Sequence, residues 1–108
     1  MGNILLTQTD HGRSIEVRVG DRVVIDLSEN PSTGFQWAIE QNNDRVLKPL
    51  SSTYTPPTGT TVGGAGQRTF AFLGQASGIA EPRFKLWREW EGNASIVERF
   101  SVTIQVRD

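Results

Sequence analysis

Along most of this chain apolar side chains return at every second position. Ile15, Val17 and Val19 alternate with Glu16 and Arg18, and Val23, Ile25 and Leu27 alternate with Val24 and Asp26. Phe70 with Phe72, Phe84 with Leu86, and the series Phe100, Val102, Ile104 and Val106 continue the pattern. A strand with one buried face produces this alternation, and no window sustains a helical period. Turn-forming clusters separate the runs: VGDR at 19–22, NPSTG at 30–34, QNND at 41–44, PPTG at 56–59, GGAG at 63–66, QASG at 75–78 and EGNAS at 91–95. Seven to eight short strands at that spacing predict an all-β, immunoglobulin-like antiparallel β-sandwich, with residues 1–108 forming one domain. The stretch 46–56 contains Lys48–Pro49 and ends at Pro56–Pro57, which predicts a short or irregular strand because proline lacks a ladder donor.

Composition removes several function classes. The 108 residues carry 11 basic and 12 acidic side chains, a formal net charge of −1, so no nucleic-acid partner and no anionic membrane surface is expected. There is no cysteine, hence no disulfide, thiolate metal ligand or cysteine nucleophile. No apolar run reaches bilayer length, and MGNILLTQTD lacks the basic start and apolar core of a signal peptide, so a soluble product is expected. The single histidine, His11, lies in the polar DHGR turn, where a solvated side chain is expected. No Ser-His-Asp set, nucleophile elbow or metal-spaced cluster is visible, and neither an enzyme nor a cofactor site is expected. Arg and Glu on the outer faces of the strands favour a monomer.

In an antiparallel sandwich successive loops alternate between the two ends. The loops at 29–35, 57–67 and 89–96 then share one end, and those at 42–50 and 75–82 share the other. In the first, NPSTGF, Pro31 fixes one backbone torsion and pushes Asn30 toward extended conformations, while Gly34 supplies a left-handed turn. The Ser32 and Thr33 hydroxyls are expected near its apex, and the aromatics behind it anchor it to the sandwich. Trp37, with its period-two neighbour Ile39, is expected in the core. The Gly-rich TTVGGAGQ leads into a strand rather than a helix, so it is no phosphate cradle, and close backbone approach to a partner is the functional reading. The third loop, LWREWEGNAS, holds Trp87 and Trp90, and Trp90 beside Gly92 and Asn93 is expected to be exposed, as binding hot spots are. Arg88 and Glu91 either lock that loop internally or face a partner. Each loop also has a plain reading: a well-made turn, a surface loop, and a tryptophan folded down over the sandwich end.

Three motifs in this order carry a resemblance. NPSTGF at Asn30, Pro31, Ser32, Thr33, Gly34 and Phe35 fits the N-P-[ST]-T-G-[FY] loop of the chagasin-like inhibitors of papain-family cysteine peptidases. GGAG at Gly63, Gly64, Ala65 and Gly66 is similar to that family's G-x-G-G loop, with Ala65 in place of a glycine. WREWE keeps Arg88 and Trp90 of the R-P-W loop, with Glu89 in place of proline and Glu91 following. The closing ERFSVTIQV also resembles the family's last strand. The resemblance implies an immunoglobulin-like sandwich and a reversible, non-covalent inhibitor that plugs a peptidase cleft with three loop tips, in a 1:1 complex. It puts Thr33 and Gly34 over the catalytic cysteine, Trp90 and Arg88 on the primed side, and the Gly63–Gly66 loop on the other wall. Glu89 is expected to loosen the third loop and add a negative charge beside Trp90; Ala65 narrows the backbone approach that glycine permits. A carbohydrate- or protein-binding sandwich that uses the same loop end is the other reading.

Overall fold

The computed structural model describes residues 2–57 and 66–108. Its strands are β1 (Asn3–Thr7), β2 (Ser14–Arg18), β3 (Arg22–Glu29), β4 (Gln36–Gln41), β5 (Leu47–Thr55), β6 (Gly66–Gly74), β7 (Gly78–Ala80), β8 (Arg83–Trp87), β9 (Glu98–Ser101) and β10 (Thr103–Arg107). They form three sheets, ordered β1-β3-β6-β5, β2-β10-β7 and β4-β8-β9. Among the described residues the count is ten rather than seven to eight. The run Phe100–Val106 breaks at Val102, its first part pairing with β8 and its second with β2 and β7, and the short β7 adds another. No described helix is long and apolar enough to cross a membrane.

The alternating residues meet where the period places them. Val23, Ile25 and Leu27 of β3 are buried, and Val23 and Ile25 stand opposite Phe72 and Phe70 of β6. Across the core Phe84 lies 4.7 Å from Phe70, 6.1 Å from Phe72 and 6.0 Å from Phe100, ring centre to ring centre, in tilted and edge-on arrangements. Such pairs suit the ring quadrupoles and leave little room for rearrangement. One buried cluster includes Leu6, Val17, Trp37, Leu47, Ile104 and Val106 with these residues.

Three further expectations change, wholly or in part. Pairing is not antiparallel throughout, because β1 runs parallel to β3 and β2 parallel to β10. The chain reaches both positions by crossing between sheets at Gln8–Asp10, where the Asp10 carboxylate accepts from Thr7 N at 2.8 Å and pairs with Arg13 at 2.6 Å. Strand β5 is irregular at Pro49, as expected, with a register shift between Pro49 and Ser51, but it is nine residues long because it lies at a sheet edge that tolerates the proline. Trp37 is buried as expected, whereas its neighbour Ile39 is 37% exposed although its cross-strand partner Phe84 is fully buried, because β4 is an edge strand. His11 is exposed yet not merely solvated: Nδ1 accepts from Ser101 N at 3.1 Å and the ring leans on Phe100.

The register also places the loops. Glu29 faces Gly66, Thr55 faces Gln67 and Gln36 faces Trp87, so β3, β5 and β8 leave the sheets at one end and β4 and β6 start there. At the other end Gln75 N donates to Val46 O at 2.8 Å and Asn43 Nδ2 to Ile79 O at 3.3 Å. The alternation of loops between ends holds for the described residues.

Candidate functional site

The first loop is organised around one asparagine. Asn30 is extended (φ −109°, ψ 104°), Pro31–Thr33 makes a single 3-10 turn, and Gly34 closes it in the left-handed region at φ 78°. Asn30 Oδ1 accepts from Ser32 N at 3.1 Å and from Ser32 Oγ at 2.7 Å. Thr33 Oγ1 donates to Asn30 O at 2.8 Å, and Gly34 N donates to Pro31 O at 3.1 Å. Both hydroxyls are therefore spent inside the loop instead of standing free at its apex. Proline, the asparagine cap and the left-handed glycine remove most of the freedom the segment would otherwise lose on docking.

The third loop is tied just as closely. Glu89–Glu91 and Asn93–Ser95 form two 3-10 turns joined by Gly92 at φ 73°. Glu91 N donates to Arg88 O at 2.9 Å and Gly92 N to Glu89 O at 3.1 Å. Ser95 Oγ accepts from Arg88 N at 2.9 Å and donates to Gly92 O at 2.6 Å. Glu89, expected to loosen the segment, occupies the first place of a closed turn. Trp87 is covered by the Lys85 ammonium 3.4 Å above its ring, whereas Trp90 stands 73% exposed.

Arg88 joins the two loops. Its Nε and Nη2 donate to Thr33 O at 3.2 and 3.0 Å, its Nη1 pairs with Glu91 Oε1 at 3.2 Å, and its guanidinium lies 4.4 Å from the centre of the Phe35 ring. The planar fork suits this double duty, since it can bond in its plane and stack through its face. The edge of Trp90 runs over Gly34, where a Cβ would lie 2.9 Å from Cη2. Gly34 thus serves the turn and the tryptophan together. Asn30–Phe35 and Arg88–Glu91 form one continuous tip.

Of the second loop, Gly63, Gly64 and Ala65 lie outside the described residues. Gly66 is buried at the loop's base, where a Cβ would collide with the Tyr54 hydroxyl and the Thr55 carbonyl. Below the tips lies a pair that the motifs do not include: Glu29, on the buried side of β3, and Arg68, on β6. The signal for it was present in the sequence. Glu29 continues the inward phase of Val23, Ile25 and Leu27, Arg68 that of Phe70 and Phe72, and charges on inward positions require a partner.

The profile described as "Chagasin family peptidase inhibitor I42" matches residues 16–104. The chain belongs to the chagasin family of peptidase inhibitors. It is 29% identical over 104 residues to chagasin of Trypanosoma cruzi, covering 93% of this chain and 94% of that one. The fold is similar to the cysteine protease inhibitor EhICP2 from Entamoeba histolytica, with a TM-score of 0.87 at 21% identity, over 99% of this chain and 97% of that one. It is also similar to PbICP-C, solved in complex with falcipain-2, with a TM-score of 0.69 at 15% identity, over 96% of this chain and 99% of that one. The family expected from the three motifs is thus the family found, and the all-β fold matches its solved relatives.

Proposed function

We propose that this inhibitor acts on papain-family cysteine peptidases by reversible, non-covalent occlusion of the active-site cleft, with the chain binding as one unit in a 1:1 complex. Asn30–Phe35 enters the cleft, Trp90 packs against apolar surface beside it with Glu89 and Glu91 at its flanks, and the Gly63–Gly66 segment lies on the opposite wall. The observation that carries this reading is the Arg88 clasp. A peptide becomes substrate when a carbonyl is offered to the nucleophile and to oxyanion donors. Here the Thr33 carbonyl at the tip already accepts two bonds from Arg88, so the tip fills space without offering that group. The aromatic beside it supplies the burial that makes an anchor.

A sugar-binding reading is disfavoured by Trp87. Stacking platforms use several exposed aromatics, and the Lys85 ammonium covers Trp87, leaving Trp90 alone.

Titration of papain with the protein tests the proposal. Competitive inhibition is expected, weakened in Thr33→Ala and largely lost in Trp90→Ala. Absence of inhibition at micromolar protein across several papain-type peptidases would remove it.

A further inference from the structure

Beneath the tips one carboxylate gathers strands from two loops. Glu29 ends β3, the strand that runs into Asn30–Phe35, and its side chain is 1% exposed. Oε1 accepts from Trp37 N at 2.7 Å, where the chain returns from that loop as β4, and from Arg68 Nε at 3.2 Å. Oε2 accepts from Arg68 Nη2 at 2.8 Å. Arg68 lies two residues inside β6, the strand that begins at Gly66, and its guanidinium sits 5.6 Å from the ring centre of Tyr54 on β5. Trp37 adds a bond from Nε1 to Ser28 O at 2.8 Å. Departure and return of the first loop, and both strands that flank the second, therefore meet around Glu29.

A buried ion pair is a poor device for stability alone, because desolvation of the two charges offsets most of their attraction. Apolar side chains of equal volume would hold the strands together as well. What a forked guanidinium–carboxylate contact adds is fixed distance and direction. We infer that Glu29 and Arg68 are positioning residues for inhibition. The pair holds the first loop in its docking conformation, at a set height relative to the strands of the second loop, and touches no peptidase. This rests on the occlusion reading above.

The test is the double variant Glu29→Gln with Arg68→Met. Glutamine keeps an acceptor for Trp37 N, methionine fills the space of the arginine stem, and no charge is left unpaired. Its melting temperature is expected to fall by about 5–10 °C with the protein still folded at about 25 °C, because removal of both charges is near neutral while the glutamine NH2 is left without an acceptor. Solvent exchange of the Thr33 and Gly34 amides in the free protein should accelerate roughly tenfold, with the β2–β10 ladder unchanged. The inhibition constant against papain should rise roughly tenfold as preorganisation is lost. If the double variant does not fold, Arg68→Lys, which keeps the charge but not the fork, should shift both readouts in the same direction by less. Unchanged exchange at Thr33 and Gly34 in a folded variant overturns the inference. So does an unchanged inhibition constant in a variant whose parent inhibits, which leaves the occlusion reading standing. A parent that inhibits no papain-type peptidase overturns that reading and the link to inhibition together.

Discussion

At one end of the sandwich Trp90 stands exposed over a left-handed Gly34; at the other, Gly20 and Gly78 also take positive φ, yet the side chains turn back onto the backbone. There the Asp21 carboxylate accepts from Gly2 N at 2.8 Å and from Arg18 N at 2.9 Å. Asn42 donates to Leu47 O at 2.8 Å, and a shallow polar cleft is lined by Gln41, Asn42, Asn43, Ile79, Glu81 and Arg83. Both ends use the same turn chemistry, so stiffness does not distinguish them. Nor does bracing, since Arg88 bonds to Thr33 O at the tip and Asn43 bonds to Ile79 O at the other end, each from one loop to another; the tip differs in leaving a large aromatic uncovered. A rigid, braced turn becomes a wedge when it also carries an anchor.

Truncating the anchor should give the largest effect. Trp90→Ala is expected to cost about 2–4 kcal/mol of binding, roughly 30- to 1000-fold in the inhibition constant, with almost no change in melting temperature. Arg83→Ala at the other end should leave the constant within about twofold, as surface changes outside an interface do. Equal effects at both ends would erase the distinction.

Glycines sharpen it. Gly34→Val meets Trp90 and an unfavourable left-handed backbone, and about 1–2 kcal/mol of strain should weaken inhibition on the order of tenfold with the domain still folded. Gly74→Ala instead drives a Cβ to 2.9 Å from the Arg18 carbonyl. It should lower stability by about 1–3 kcal/mol and leave the inhibition constant of the folded protein alone. Thermal melts run beside inhibition assays separate the two. A large fall in melting temperature for Gly34→Val would make the first loop structural.

Arg88→Lys should come next, with inhibition about fivefold weaker, since an ammonium cannot hold Thr33 O, Glu91 and the Phe35 face together. The smallest effect is confined to the other end. Backbone N–H groups of Arg18, then of Gly2, hold the Asp21 carboxyl below its ordinary range. Its contribution is full above the unfolded value of about 3.9 and is lost as pH falls through the lower folded value. Asp21→Asn should therefore flatten the loss of urea stability below about pH 4 and leave inhibition near neutrality untouched. An unchanged acid limb would contradict the role given to Asp21.

Period two made the all-β core readable, because burial of one strand face is written directly into the residue order. Strand partners were less readable. The segment Asn3–Thr7 buries only Leu6 fully, so its parallel seat beside β3 leaves a weak trace. Pro49 argued against a long β5 because a bulge and an edge position, which excuse it, are properties of neighbours. The tip was legible in Pro31, Gly34 and Trp90, whose constraints are local. What Arg88, Ser32 and Thr33 do was not, since each bonds to groups that only the fold brings near. Glu29 and Arg68 lay between: their inward phase was visible, and their pairing needed the β3–β6 register.

Reaction of a papain-type peptidase's catalytic cysteine with an alkylating agent, followed as this protein is added, tests occlusion most directly. Alkylation is expected to slow in proportion to the complex formed, with the inhibitor recovered uncleaved and unmodified. Full inhibition with undiminished alkylation, or cleavage between Asn30 and Phe35, would contradict occlusion.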